Sequence, residues 1–495
     1  MLRLSEKRIL EIMPGLLIWV TFIFALLLSV LSPLWAIIFI IVFDVYWVCR
    51  IFYMLIYMFT SWRRFRRSLK IDWQEKVTRL EGWNDYYHLI FLPTYKEPYE
   101  VIENTFKSIC NSKYDLKKFI IVLAGEKRDE NNFLPIAEKI KSNFENRLYK
   151  LIVTMHDVMP DELPGKGSNI NYAGHQAKKY IDESGISYSK VIVSAFDVDT
   201  RPHPQYFACL TYHFITSENP YRNSFQPIAV YNNNVWESNP IVRVVASSTT
   251  FWLLTDLSRQ ERLFTFSSHS MSFKALVDVN FWDKTIVTED SRIFLQCFVQ
   301  YDGNYQVTPL YIPLYMNTVD VGEIKKSLIN QYKQMRRWAW GVEHFPWMFR
   351  HFWGEKANKK IPFMKKIYYI WNQTEGVYSW ATAPILIFLV GHLPIWLASG
   401  REKTTALFQT APNVLAILMR VAMIGLVSAA AMYTVMLPPK PKHFSRINYL
   451  IMILQWFIVP VTLILFGSIP AADAQTRLML GGKFRLGFWV SEKKV

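Results

Sequence analysis

Five apolar stretches constrain what this chain can fold into. Two open it, at about 13–31 and 33–59, and three follow residue 370, at roughly 377–398, 414–437 and 449–466. A stretch of this length crosses a hydrocarbon core of about 30 Å as a helix. The long segment between the two groups is charged and mixed, so it should fold as a water-facing domain framed by membrane helices. Composition agrees, because 51% of residues are hydrophobic, with 18 Trp, 26 Tyr and 34 Phe, which is high for a protein free in water. Pro33 marks the turn between the first two stretches, and Arg63, Arg64, Arg66 and Arg67 directly follow the second. Basic residues at that place mark the cytosolic side. The start, Met1 to Arg8, is short and basic, and the run behind it is too long for a cleaved signal peptide. The expectation is a multi-pass protein of the plasma or inner membrane whose mixed domain faces the cytosol.

The net charge of +16 fits nucleic acid, an anionic membrane or phosphorylated ligands equally well. Its distribution separates them. The basic residues gather at membrane edges instead of lining one face with stacking aromatics, so membrane lipids are expected as partners and nucleic acid is not. Cys49, Cys110, Cys209 and Cys297 are far apart and form no metal-ligand spacing, so they read as free thiols in a reducing compartment.

The pattern divides the chain into an N-terminal transmembrane hairpin (1–60), a basic linker (61–84), an α/β domain (85–320), amphipathic interfacial helices (321–370), C-terminal transmembrane segments (371–470) and a tail (471–495). Within the α/β domain, β-rich runs at 88–92, 119–123, 151–154 and 190–195 alternate with helical stretches. Such alternation predicts a doubly wound, mostly parallel sheet. Ligands of such sheets bind at the carboxyl ends of the strands. Arg420 interrupts one of the later apolar stretches, where it either lines a wet path or snorkels to the interface.

Four groups of residues stand at those carboxyl ends. Thr94 and Glu97 lie in the turn Pro93-Thr-Tyr-Lys-Glu-Pro98 before a helical run, which makes either a nucleotide site or a plain capped connection. Gly165-Lys166-Gly167 leads into a helix carrying Asn169 and Asn171; the glycines let backbone approach phosphate and the lysine supplies charge, although the P-loop spacing is absent. Asp197 and Asp199 follow a strand, and in an extended stretch the two would point the same way. Paired carboxylates suit a hard divalent cation, Mg2+ or Mn2+, sharing diphosphate oxygens, and a solvated acidic turn is the plain alternative. Glu289 and Asp290, in Thr288-Glu-Asp290, open another helical run. There a carboxylate can deprotonate an acceptor hydroxyl or simply cap the helix. Finally, Gln334, Arg337 and Trp338 share one face of an amphipathic segment. Trp offers a flat apolar face to a pyranose ring, Gln both donates and accepts, and Arg can approach a diphosphate.

In this order and spacing the motifs resemble the family 2 glycosyltransferases, particularly processive members such as cellulose and hyaluronan synthases, over about residues 88–340. The resemblance implies a GT-A-like domain and an inverting transfer from a nucleotide-sugar donor, UDP-linked in the closest reading, to a growing glycan or a lipid acceptor. It implies that Thr94, Glu97, Lys166, Asn169 and Asn171 hold the nucleotide, that Asp199 binds the metal with Asp197 beside it, and that Asp290, next to Glu289, is the general base. It also implies that Gln334, Arg337 and Trp338 meet the acceptor and diphosphate. The stretch Phe488-Trp-Val-Ser491-Glu-Lys493 resembles a gating-loop motif, implying that Phe488, Ser491 and Lys493 close over the donor; an interfacial anchor is the alternative.

Two departures stand out. Where the family often has a carboxylate cluster that reads uridine, this chain has Ala124-Gly-Glu126-Lys-Arg-Asp129, leaving Glu126 as the substitute. Secondly, three spans after the catalytic domain would put the tail outside, against its basic residues, so the last stretch, broken by Pro460, is expected to be re-entrant or interfacial. Transfer of a single sugar to a lipid, or an export protein that only binds, are the rival readings. An accessory subunit is left open.

Overall fold

A computed structural model of the chain describes residues 2–442, 444–445, 447–487 and 489. Its centre is an eight-stranded sheet of β1 (Tyr87–Pro93), β2 (Phe119–Glu126), β3 (Lys150–His156), β4 (Val191–Ala195), β5 (Arg201–Pro202), β6 (Asn223–Tyr231), β7 (Ser270–Ser272) and β8 (Gln306–Met316), in the order β3-β2-β1-β4-β7-β6-β8-β5. The strands β3, β2, β1 and β4 run parallel, as the alternation requires. Beyond them β7 runs antiparallel to both β4 and β6, and β5 antiparallel to β8, so the sheet is mixed. Every residue of β2 is buried, because helices cover both faces of the sheet. Alternate residues serve opposite layers: Leu89, Phe91, Ile120 and Val122 join one apolar cluster, and Ile90, Leu92, Ile121 and Leu123 the other. The carboxyl ends of β1, β2, β4 and β6 open on one edge, where the sequence motifs collect.

Helices Glu6–Leu31, Pro33–Ser68, Ala406–Met436 and Ile447–Leu480 are each long and apolar enough to cross a membrane, and so is the pair Phe363–Phe388 and Val390–Leu397, which bends by 41°. Packing gives them a direction. At one end, Ile37 and Ile40 cluster with Ala398, Phe408 and Leu415, far from the sheet. At the other, the Ser61 and Ser258 hydroxyls meet at 2.6 Å, Arg64 reaches the Tyr311 hydroxyl at 2.9 Å and Lys366 donates to the Phe352 carbonyl at 2.7 Å. Leu2–Leu31, Pro33–Ser68, the bent pair and Ala406–Met436 thus each run between the domain and the distant cluster.

The Ile447–Leu480 run behaves differently. Tyr449 packs on Trp236 at 5.3 Å, Trp456 on Phe251 at 5.7 Å, Phe466 clusters with Val245 and Met335, and Asp473 pairs with Arg336 at 2.8 Å. Its start and middle therefore lie against the α/β domain, and its end packs on the Ile324–Ala339 helix and between Leu2–Leu31 and Phe363–Phe388. Pro460 does not bend it sharply, since the proline stands in the first turn of a helical segment, where a missing N–H costs no bond. The sharp bend falls at 388–390 instead. Arg420 is exposed on the outer face of its helix, so it lines no interior path.

Candidate active site

One end of the site is a turn that holds itself. Glu97 is buried and accepts from the Thr94 hydroxyl at 2.9 Å and the Tyr95 N–H at 2.5 Å. Lys96, at φ 63°, turns its own N–H onto Asp129 at 2.6 Å. Glu126 accepts from Arg128 Nε at 2.7 Å, and the Arg128 guanidinium lies 4.0 Å above the Tyr95 ring. The carboxylate expected to read a base is thus paired with a cation stacked on an aromatic face, an arrangement with one carboxylate oxygen and the remaining guanidinium N–H groups left for a planar ligand. Asn169 donates to the Ala124 carbonyl at 2.8 Å, with its own Oδ1 buried and unpartnered, whereas Asn171 donates to the Trp282 carbonyl at 2.6 Å. Asn169 therefore faces the strand edge, and Asn171 ties down the loop before Thr288.

At the centre stands Lys166, the first residue of the Lys166–Glu183 helix. Its Nζ lies 2.8 Å from Asp197 Oδ1, 2.9 Å from both oxygens of Asp290 and 3.5 Å from Glu289. Three carboxylates from two other segments converge on one ammonium. Gly167 makes this approach possible, because a Cβ there would meet the Asp283 carbonyl at 3.0 Å and Glu289 Cβ at 3.3 Å. Burial pulls the Lys166 ammonium down, but Asp197, Asp290 and Glu289 more than reverse this, and the net shift is upward. Glu289 moves up to about 8, through burial first and then the negative charge of Asp290, against the pull of Lys166.

That shift has a measurable sign. Between the ordinary glutamate range and about pH 8 the folded chain keeps a proton that the unfolded chain releases, so this group lowers stability as pH rises through the window. Glu289→Gln should flatten that decline in thermal denaturation of the detergent-solubilised protein. Parallel curves for the two proteins would exclude it.

Asp290 is the second residue of the Glu289–Gln300 helix, and Thr288 is the cap, so the capping alternative for Asp290 is excluded. Asp197 and Asp199 do not lie in an extended stretch: Thr200 N–H bonds the Asp197 carbonyl at 2.9 Å, closing a turn. Ser267 donates to Asp197 Oδ2 at 2.6 Å, and Asn317 N–H to the buried Asp199 Oδ2 at 3.1 Å. Among the described residues no three His, Cys, Asp or Glu side chains form a metal cage. The donor set present, two hard carboxylates in one turn, fits a divalent ion that completes its shell with diphosphate oxygens and water.

Tyr231, which the sequence motifs passed over, ends β6. Its phenol is pushed up by burial first, then by Asp197, Asp199 and Asp290, with Arg337 opposing. Its ring lies 6.1 Å from Trp338. Its place at a strand's carboxyl end was the available signal.

The Ile324–Ala339 helix borders the site and carries Arg337 and Trp338. Gln334 accepts from Gln331 at 3.3 Å, and Arg337 donates to the Trp489 carbonyl at 3.2 Å. Asp473, also unsignalled in the sequence, accepts from Tyr332 at 3.0 Å, Arg336 at 2.8 Å and Arg477 at 2.7 Å, bolting this helix to Ile469–Leu480. Phe488, Ser491 and Lys493 lie outside the described residues.

Residues 192–469 match the family described as glycosyl transferase family group 2. No curated protein matches. Among solved structures, the mannosyltransferase PcManGT from Pyrobaculum calidifontis in complex with GDP-Man and Mn2+ is similar over 78% of this chain and 99% of its own, at 14% identity and a TM-score of 0.45. S. aureus TarS 1-349 in complex with UDP is similar over 70% of this chain and 91% of its own, at 13% identity and a TM-score of 0.36.

Proposed function

The chain belongs to glycosyl transferase family group 2, and from that premise we propose that it is an inverting membrane glycosyltransferase that uses a UDP-sugar to extend a β-linked glycan. The observation that carries this reading is the convergence of Lys166, Asp197, Glu289 and Asp290 at the carboxyl edge of the sheet. Thr94, Glu97 and Asn169 shape the edge that takes the nucleotide, and Glu126 with Arg128 and Tyr95 takes the base. Asp199, with Asp197, would hold the divalent ion, which when bound supplies Lewis-acid stabilisation of the departing diphosphate. Arg337 and Lys166 add positive charge to the same leaving group. Asp290 takes the proton of the acceptor hydroxyl, which attacks the anomeric carbon from the side opposite the diphosphate, so an α-linked donor gives a β-linked product. Gln334, Trp338 and Tyr231 seat the acceptor sugar.

Polymer extension rests on the order of the motifs, which is that of processive members. Purified protein with Mg2+ or Mn2+ and a panel of nucleotide sugars should release a nucleoside diphosphate from one donor and yield a polydisperse product by gel and mass analysis. A single discrete glycolipid would refute the polymer, and no diphosphate release from any donor would refute the transferase.

For topology, four crossings by Leu2–Leu31, Pro33–Ser68, the bent pair and Ala406–Met436 leave Ile447–Leu480 along the cytosolic face, which returns the tail to the catalytic side. A cysteine placed at Gly400, in a background without the four native ones, should react with an impermeant maleimide in intact cells. One placed at Lys442 should react only after permeabilisation; labelling of Lys442→Cys from outside would overturn this arrangement.

A further inference from the structure

The helix that carries Asp290 begins unusually. A cap threonine ordinarily accepts from the second or third N–H of its own helix, yet the Thr288 side chain makes no such bond. Its hydroxyl instead donates to Glu343 Oε1 at 2.8 Å, beside the Val287 N–H at 3.3 Å. The other oxygen of Glu343 accepts from the Trp340 indole at 3.0 Å. Glu343 is the last residue of the Trp340–Glu343 turn that directly continues the Ile324–Ala339 helix. One buried carboxylate thus bonds both the start of the Asp290 helix and the end of the Gln334–Trp338 helix.

Its neighbour His344 makes a second such bridge, and chemistry dictates its protonation. Arg292 Nε and Nη2 both lie 3.1 Å from His344 Nδ1, and a guanidinium can only donate. Nδ1 is therefore the acceptor and Nε2 carries the hydrogen, which it gives to Ser291 Oγ at 2.7 Å. Burial, and then the charge of Arg292, keep this imidazole well below its ordinary range, so it stays neutral. Arg292 is held in turn by Asp283 at 3.1 Å and by the Trp347 ring at 4.8 Å. Ser291 and Arg292 are the two residues after Asp290.

We infer that Glu343 and His344 are positioning residues that set where Asp290 stands relative to Gln334, Arg337 and Trp338. Neither touches substrate in this reading. They act through Thr288, Ser291 and Arg292, so that the base and the acceptor platform move as one body. The inference rests on the general-base role of Asp290, and displacement of a reacting group by about 1 Å costs on the order of a hundredfold in rate.

The test is a double-mutant cycle on purified protein with the productive donor. Thr288→Val and Glu343→Met should each lower kcat about tenfold or more and leave KM and the dissociation constant of the nucleoside diphosphate within about twofold, and Thr288→Val should add no further loss to Glu343→Met, because the bond between the two side chains is already gone. His344→Asn, which retains an acceptor for Arg292, should keep more activity than His344→Phe of similar bulk. Wild-type kcat in Thr288→Val and Glu343→Met would overturn the inference. So would equal loss of nucleotide binding and activity, which marks general disruption. Asp290→Asn separates the two ideas: if it is inactive while the Glu343 and Thr288 variants are fully active, only the positioning role fails. If Asp290→Asn itself is active, the base assignment fails.

Discussion

Asp290→Asn should reduce kcat by between about 10² and 10⁴, the range that one positioned general base contributes, while leaving nucleotide affinity and fold intact. The amide keeps the shape of the carboxylate and can still accept from Lys166, whose bonds to Asp197 and Glu289 remain. What it loses is the capacity to hold the acceptor's proton. Steady-state release of nucleoside diphosphate, alongside a binding isotherm for that diphosphate, measures both quantities. Turnover near wild type would reassign the base.

Lys166→Met should do broader damage. It strips the shared countercharge from Asp197, Asp290 and Glu289, and breaking a buried ion pair from one side costs about 3–5 kcal/mol because the remaining charge is left without compensation. A clear fall in melting temperature and loss of diphosphate binding are expected together. The double variant Lys166→Met/Asp290→Asn should melt higher than Lys166→Met, since one stranded carboxylate has gone. If Lys166→Met instead melts like the wild type, the lysine does not hold the carboxylates together. Wild-type folded Lys166 has a raised pKa, so its stabilisation is present throughout the neutral range and declines only as pH rises past the ordinary lysine range.

Much of this architecture was legible in the residues. The apolar runs located the long helices, and β-rich runs at 88–92, 119–123, 151–154 and 190–195 became β1 to β4 within a residue or three at each end, because continuous burial on both faces leaves an unbroken hydrophobic signal. The pair Asp197 and Asp199 was found, but its geometry was misjudged: the extended alternation that would align them is replaced by a turn closed at Thr200. Lys166 was read as a phosphate ligand alone, since nothing local announces carboxylates 31 and 124 residues away. Asn171 was placed with the nucleotide and is occupied by a loop carbonyl. Glu343, His344 and Asp473 sit among aromatic and basic neighbours with no spacing of their own, and only tertiary contact reveals what they hold. The last apolar stretch was expected to break at Pro460, yet the sharp bend among the long helices falls at 388–390.

The clasp on Arg336 also bears on how the molecule is made. Its partner Asp473 lies 137 residues further along the chain, so a ribosome has synthesised the whole α/β domain before that carboxylate exists. The Ile469–Leu480 helix packs on Ile324–Ala339, Leu2–Leu31 and Phe363–Phe388, all made before it. It needs a folded surface to land on. Assembly of this protein therefore finishes beside its candidate active site, and a nascent chain arrested before Asp473 would hold the Ile324–Ala339 helix by one side only.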